Sequence, residues 1–431
     1  MKSSFFGDLV RVTVSNGAII ICGLITSILT GRYLGPDNNG IIAALLVYPS
    51  LFMTIGSLGI RQSTTYFLGK DIYSEERIKR SIAQIWLFTS IVSSVICFFL
   101  IRYTSDSGDN LQWVLLSIVP IPFSLFNTYN SGIFLGKNQL KTFNRINWLP
   151  AFLACILTAL FVAILPWGIS GSMLAQLGGP LVMFFILLFK NKFLQAFSLK
   201  IEWDVIKKLL TLGMVYALAL LVINLNYKVD VIILDKMSTP YELGIYSKGA
   251  NIIQYLWQIP MVLSTIVFSR SAVSKDDHAF SLKVAQLLRL SMILVGGASL
   301  VLFFLSKFVI LTMYGDAFYG SISCLKILLP GVILLTIFKV MNMDLAGKGK
   351  PWVSMKAMLP ALVINVVLNI LWVPEYGADG SSWASTISYT VSALLFSYFY
   401  CMETGLSFKE LFKYKSSDFD VIFNIIKKIK N

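Results

Sequence analysis

Two short stretches, GPDNNGI at residues 35–41 and TPYELGI at residues 239–245, decide the fold. In each, a proline (Pro36, Pro240) stands before a glycine and an isoleucine (Gly40 and Ile41, Gly244 and Ile245). One such match means little, because glycine and proline punctuate most turns. Two further pairs follow in the same order. LGKNQ precedes LPAF at Pro150, as AGKGK precedes LPAL at Pro360. PWGISGSMLA then places Gly168, Gly171, Ser172 and Ala175 where PEYGADGSSWA places Gly377, Gly380, Ser381 and Ala384. Three matches at nearly constant offset mark a chain that repeats itself at half its length.

Composition supplies the solvent. Hydrophobic residues make up 56% of the 431 residues, charged residues only 13%, and mean hydropathy is +0.74. Those values exclude a soluble domain. Apolar runs long enough to cross about 30 Å of hydrocarbon recur throughout. The expected spans are 12–31, 41–68, 82–101, 111–135, 148–165, 171–189, 209–234, 243–268, 286–313, 322–346, 352–373 and 381–401. The first is too long for a signal peptide and lacks a small-residue cleavage site, so it is expected to stay as a helix. The expectation is an all-α polytopic membrane protein of about twelve transmembrane helices in two six-helix lobes, 1–200 and 201–403. Because six is even, both lobes enter the membrane in the same direction, as parallel repeats about an axis normal to the bilayer.

Basic residues fall in alternate loops, among them Arg77, Lys79 and Arg80, then Lys137, Lys141 and Arg145, then Lys190 and Lys192. The opposite loops are acidic, with Asp37, Asp106, Asp109, Asp235 and Asp316. By the positive-inside rule both termini are cytoplasmic. The net charge of +14 is thus a topology signal, and no nucleic-acid partner is expected. Cys22, Cys97, Cys155, Cys324 and Cys401 are scattered through the spans and His278 is the only histidine, so no metal site, cofactor or disulfide framework is expected.

Charges inside the spans are the candidates for function, since one at the bilayer centre costs on the order of 3 kcal/mol or more. VINLNYKVDVIIL, residues 222–234, holds Lys228 and Asp230, with Asn224 and Asn226 extending the polarity inward. Asp230 and Lys248 of the next span lie about 7 Å from the shared outer connection, so they are candidates for an ion pair, structural or coupling. Lys228 is about 200° round the helix from Asp230 and must point elsewhere, into a cavity or outward by snorkelling. Arg61, in GIRQSTTY, is expected to face a cavity, because the polar stripe it begins is costly in lipid. Lys339 is the second inner cation, with snorkelling as its alternative. The end of the chain, SSDFDVIFNIIKKIKN, spaces Phe419, Ile422, Phe423 and Ile426 as a helix would, with Lys427, Lys428 and Lys430 behind. Residues 404–431 are therefore expected to form a cytoplasmic tail, ending in an amphipathic helix on anionic lipid.

Three segments carry a family resemblance: GRYLGPDNNGI, VDVIILDKMSTPYELGIYSKGANI, and LAGKGKPW followed by VINVVLNILWVPEYGADGSSWASTISY. The chain resembles the Wzx-type O-antigen and exopolysaccharide flippases of the multidrug/oligosaccharidyl-lipid/polysaccharide exporter superfamily, along nearly its whole length. That resemblance implies a MATE-like pair of lobes around a cavity lined mainly by the first, second, seventh and eighth helices. It implies no enzymatic activity, but movement of an undecaprenyl-pyrophosphate-linked oligosaccharide to the periplasmic leaflet of a bacterial inner membrane by alternating access. Arg61, Lys228, Lys248, Lys339, Asn224 and Asn226 become the expected cationic substrate site. The implied partners are the lipid-linked oligosaccharide, membrane lipids, a polysaccharide polymerase and a chain-length regulator.

Three alternatives stand beside this reading. A drug or cation antiporter of the same superfamily needs unpaired intramembrane carboxylates, and Asp230 and the borderline Asp344 are the candidates. A peptidoglycan lipid flippase shares the substrate chemistry. A membrane polymerase or glycosyltransferase ordinarily needs a sizeable outer loop, whereas the outer loops here are short.

Overall fold

The computed structural model describes residues 5–418, apart from 138, 199, 272, 273, 275, 416 and 417, and within these it is helical without strands. The helices are α1 (Phe5–Ile55), α2 (Ile60–Gly69), α3 (Glu75–Thr104), α4 (Leu111–Ile118), α5 (Pro120–Gly136), α6 (Leu140–Asn147), α7 (Leu149–Thr158) and α8 (Gly168–Lys190). They continue with α9 (Trp203–Asn226), α10 (Val229–Met237), α11 (Pro240–Ser271), α12 (Asp277–Tyr314), α13 (Ser321–Gly347), α14 (Trp352–Thr404) and α15 (Phe408–Phe412). Nine stretches among the described residues are long and apolar enough to span a bilayer. This is a multi-pass membrane protein.

Two of the runs are too long to be single spans. A straight helix of the 53 residues of α14 would extend about 80 Å, more than twice the hydrocarbon thickness. Each therefore holds a break: α1 at Gly35 (φ 71°, ψ 175°) and α14 at Gly377 (φ 51°, ψ −127°). Only glycine takes such angles without strain. Pro36 and Pro374, beside the breaks, remove further helical hydrogen bonds. At the first break Asn39 Nδ2 donates to the Thr30 and Gly35 carbonyls, at 2.8 and 2.6 Å. Proline also divides the fourth expected span into α4 and α5, at Pro120.

The repeated motifs take equivalent roles. A Cβ on Gly40 would overlap the Pro240 carbonyl, and one on Gly244 would overlap that of Pro36, so the two copies of the opening motif interlock reciprocally. In the third pair, a Cβ on Gly171 would lie 2.6 Å from the Phe161 carbonyl oxygen, and one on Gly380 2.6 Å from that of Trp372.

The chain forms two compact units, residues 1–248 with 311–319, and residues 249–310 with 320–431. The first extends beyond the expected boundary at residue 200, because α9 packs on α1, α2 and α3, and α10 packs on α1. Its core includes an aromatic cluster in which Phe126 meets Trp86, Phe184 and Phe193 at ring separations of 5.3, 4.6 and 4.9 Å. The end of α12 joins this unit through Arg32, which donates to the Thr312 and Met313 carbonyls. In the second unit α13 lies along α14.

After α14 the chain turns at Gly405 (φ 72°), and Ser407 and Glu410 close a capping box on α15. Arg289 holds this segment: it binds both carboxylate oxygens of Asp418 at 2.7 Å and donates to the Glu410 and Leu411 carbonyls. The amphipathic helix expected from Phe419 onward lies outside the described residues.

Candidate functional site

The seventh expected span is not one helix. It divides into α9 and α10 at Tyr227 and Lys228, and Lys228 takes φ −131°, ψ −15°. Two tight turns replace regular helical bonds there, Tyr227 N to Asn224 O and Lys228 N to Leu225 O. Asparagine favours such local breaks, and Asn224 and Asn226 immediately precede this one. Broken spans in transporters place backbone and polar groups at membrane depth where ligands bind.

Lys228 is half-buried at this break; the charge of Asp230 attracts its ammonium, which makes no hydrogen bond or ion pair among the described residues. Arg61, the second residue of α2, has its backbone packed against Gly132 of α5. The residue is exposed overall, and its guanidinium makes no hydrogen bond among the described residues. The stripe Arg61 was expected to begin is narrower than its sequence. Ser63 and Thr64 are fully buried, while Thr65 Oγ1 bonds the Arg61 carbonyl and Tyr66 stays exposed.

The expected Asp230 and Lys248 ion pair is not formed. Lys248 Nζ donates to the Ser27 carbonyl at 3.1 Å and to Thr30 Oγ1 at 2.8 Å, and lies 5.2 Å from the centre of the Tyr314 ring. Tyr314 in turn bonds Ser27 Oγ at 2.9 Å. With 3% exposure Lys248 is a tie between α11 and α1, and not an open cation. Asp230, 2% exposed, accepts from the Tyr246 hydroxyl and, through Oδ1, from Val231 N. Matched depth did not make a pair: the Asp230 carboxylate is taken by Tyr246 and by the backbone of its own helix, and Lys248 reaches across to α1.

Asn226 is fully buried, and Asn224 Nδ2 donates to the Leu220 carbonyl at 2.7 Å. In the second unit, Lys339 is half-buried with its ammonium 4.2 Å from the centre of the Trp257 ring, a cation–π contact in place of snorkelling. His278 is exposed.

Asp344, expected only as a borderline intramembrane carboxylate, is a hub of the second unit among the described residues. Asp344, fully buried near the end of α13, accepts from Ser271 (2.6 Å), Ser281 (2.8 Å), Tyr400 (2.7 Å) and Lys348 (3.1 Å). The first three come from α11, α12 and α14, and Lys348 is the residue that follows its own helix. Lys348 at i+4 was the one local signal.

Solved structures share this fold. A structure described as lipid II flippase MurJ in an inward closed conformation superposes with a TM-score of 0.76 at 15% identity, covering 97% of this chain and 93% of that one. An inward-facing multidrug resistance MATE transporter of the MOP superfamily gives 0.73 at 14% identity, covering 91% and 98%. Among sequences, the uncharacterized membrane protein MJ1375 of Methanocaldococcus jannaschii is 23% identical over 391 residues, 86% of this chain and 91% of that protein. The uncharacterized membrane protein YabM of Bacillus subtilis is 24% identical over 414 residues, 87% of this chain and 77% of that protein. The model of one family, described as polysaccharide biosynthesis protein, matches residues 9–269, well over half the chain, and the chain belongs to that family.

Proposed function

We propose that this protein is a flippase that carries an undecaprenyl-pyrophosphate-linked polysaccharide repeat unit, such as O-antigen, across a bacterial inner membrane by alternating access. The observation that carries this reading is the pair of cations in the first unit, Arg61 and Lys228, whose charged groups make no hydrogen bond among the described residues. A charge held at membrane depth without a protein partner needs water or a counter-ion. A pyrophosphate supplies the counter-ion, and a guanidinium binds it through two parallel hydrogen bonds. The same two cations argue against a cation antiporter, because the intramembrane carboxylates Asp230 and Asp344 are already engaged. Family membership supports the polysaccharide cargo. Lipid II is the second candidate substrate: it shares the pyrophosphate, and a flippase named for it shares the fold.

The test is a leaflet-resolved assay of undecaprenyl-pyrophosphate oligosaccharide in vesicles holding the purified protein. Arg61→Ala is expected to reduce translocation tenfold or more, and Arg61→Lys less. Wild-type rates in a correctly folded Arg61→Ala variant would remove this residue from the site and the reading with it.

A further inference from the structure

A second feature lies within the first unit, at the end expected to face outward. A cavity of about 280 Å³ is lined by apolar groups of Ile41, Trp113 and Pro240 and by the carboxylates Asp106, Asp109 and Asp235. Two of the three carboxylates are matched by a base: Asp106 by Lys236 at 2.6 Å, and Asp109 by Arg102 at 2.8 Å. Asp235 is not. It is nine-tenths buried, lines the cavity, and its Oδ2 has no hydrogen-bond partner among the described residues. It also sits in the last turn of α10, where the helix carbonyls add partial negative charge.

The cavity is therefore rich in acceptors and carries one unmatched negative charge, which excludes an anionic ligand and calls for a donor. A bare metal ion fits poorly, since no group of three carboxylate, histidine or cysteine side chains among the described residues is placed to hold one. At roughly 30 Å³ per water, the volume matches a ligand of around ten heavy atoms. The apolar wall has a matching property: Trp113 already spends its indole N–H on Ser170 Oγ at 3.2 Å, leaving the ring as a surface for packing.

We propose that this cavity binds one neutral or amino sugar ring, whose hydroxyls donate to Asp235 while its C–H face packs against Trp113. The inference rests on the saccharide cargo of the proposed function, and gives the glycan a place to dock at the outer end of the protein. Burial pushes the Asp235 carboxyl above the usual carboxylate range, against hydrogen bonds from Ser105 and the Asp106 backbone that lower it, and Oδ2 is left for a further donor.

The test is saturation-transfer NMR on the full chain in nanodiscs, with methyl glucoside, methyl galactoside, methyl mannoside, glucosamine and N-acetylglucosamine as probes. Saturable binding of at least one probe is expected, weakened tenfold or more in Asp235→Ala and in Trp113→Ala. Asp235→Asn and Trp113→Phe, which keep the packing, are to be compared by thermal unfolding and should weaken binding less. Absence of saturable binding by every probe overturns the proposal, as does binding that Asp235→Ala leaves unchanged. Saturable binding of sodium or calcium at Asp235, with none of the sugars, overturns it in favour of a cation site. Free sugars bind without being translocated. Sugar binding without flipping would therefore sink the flippase reading and leave the pocket, and flipping without sugar binding would do the reverse.

Discussion

Removing the carboxylate of Asp344 should be among the most damaging single changes in the second unit. Asp344→Ala leaves the Lys348 ammonium, only 8% exposed, without its counter-charge. Breaking a buried ion pair from one side costs about 3 to 5 kcal/mol. The Tyr400 hydroxyl also loses its acceptor, a further cost of about 1 kcal/mol, near the low end for a buried orphan because hydrogen bonds in membranes are individually weak. Some contacts survive. Lys348 keeps the Asp277 carbonyl at 3.0 Å and Ser281 Oγ at 2.5 Å, and Ser271 keeps the Asp344 carbonyl at 2.8 Å. The net expectation is about 4 kcal/mol, close to a thousandfold shift in the unfolding equilibrium. Reversible unfolding in mixed detergent micelles, followed by tryptophan fluorescence, measures it. Adding Lys348→Met should recover at least about 2 kcal/mol, since the stranded charge is then gone. A single variant that loses less than about 1 kcal/mol would refute the account, as would a double variant no more stable than the single.

Four other predictions address separate elements. Gly40→Ala drives a methyl into the Pro240 carbonyl and should cost about 1 to 3 kcal/mol in thermal unfolding. Combined with Gly244→Ala the cost should be less than additive, because one displacement relieves both overlaps. Lys248→Met replaces a saturated cation by an apolar chain of similar shape and should leave translocation unchanged, whereas loss of transport would return Lys248 to the substrate site. Hydrogen bonds from Arg289 hold the Asp418 carboxyl below its usual range, so their stabilisation is complete above the unfolded value of about 3.9 and is lost as pH falls through the lower folded value. Hydrogen-exchange protection factors across residues 405–415, taken against the intrinsic rate at each pH, should then be flat from pH 7 to 5 and fall only under stronger acid. Finally, Arg61→Ala combined with Lys228→Ala should abolish translocation at little cost in thermal stability, since neither charged group makes a hydrogen bond or ion pair among the described residues and only the attraction of Lys228 to Asp230 is lost.

Architecture was legible because it is written locally. Apolar runs marked the spans, and the breaks fell at glycines with prolines beside them, Gly35 and Gly377. Charge distribution gave an orientation, and charges in apolar runs singled out Arg61 and Lys228. Partnerships were less legible. Lys248 is tied to Ser27 and Thr30, more than 200 residues away, by contacts that no spacing announces. The pairing expected of Asp230 rested on depth alone, and depth does not show which way a side chain points: the hydroxyl of Tyr246, two residues before Lys248, takes that carboxylate. Asp344 was visible only as a carboxylate near the end of a span; its three distant donors come from three other helices.

The interlock of Gly40 with Pro240 and of Gly244 with Pro36 has the form of a contact between two identical subunits, in which each partner offers the same residues to the other. A single six-helix ancestor pairing with its own copy would make this contact without any second sequence, and fusing the two copies would preserve it. The two halves are consequently not free to drift apart at these positions: a side chain gained at either glycine must be answered by backbone movement in the other half. A chimera joining halves from two relatives should tolerate differences almost anywhere in the lipid-facing surface, yet demand that these two turns match.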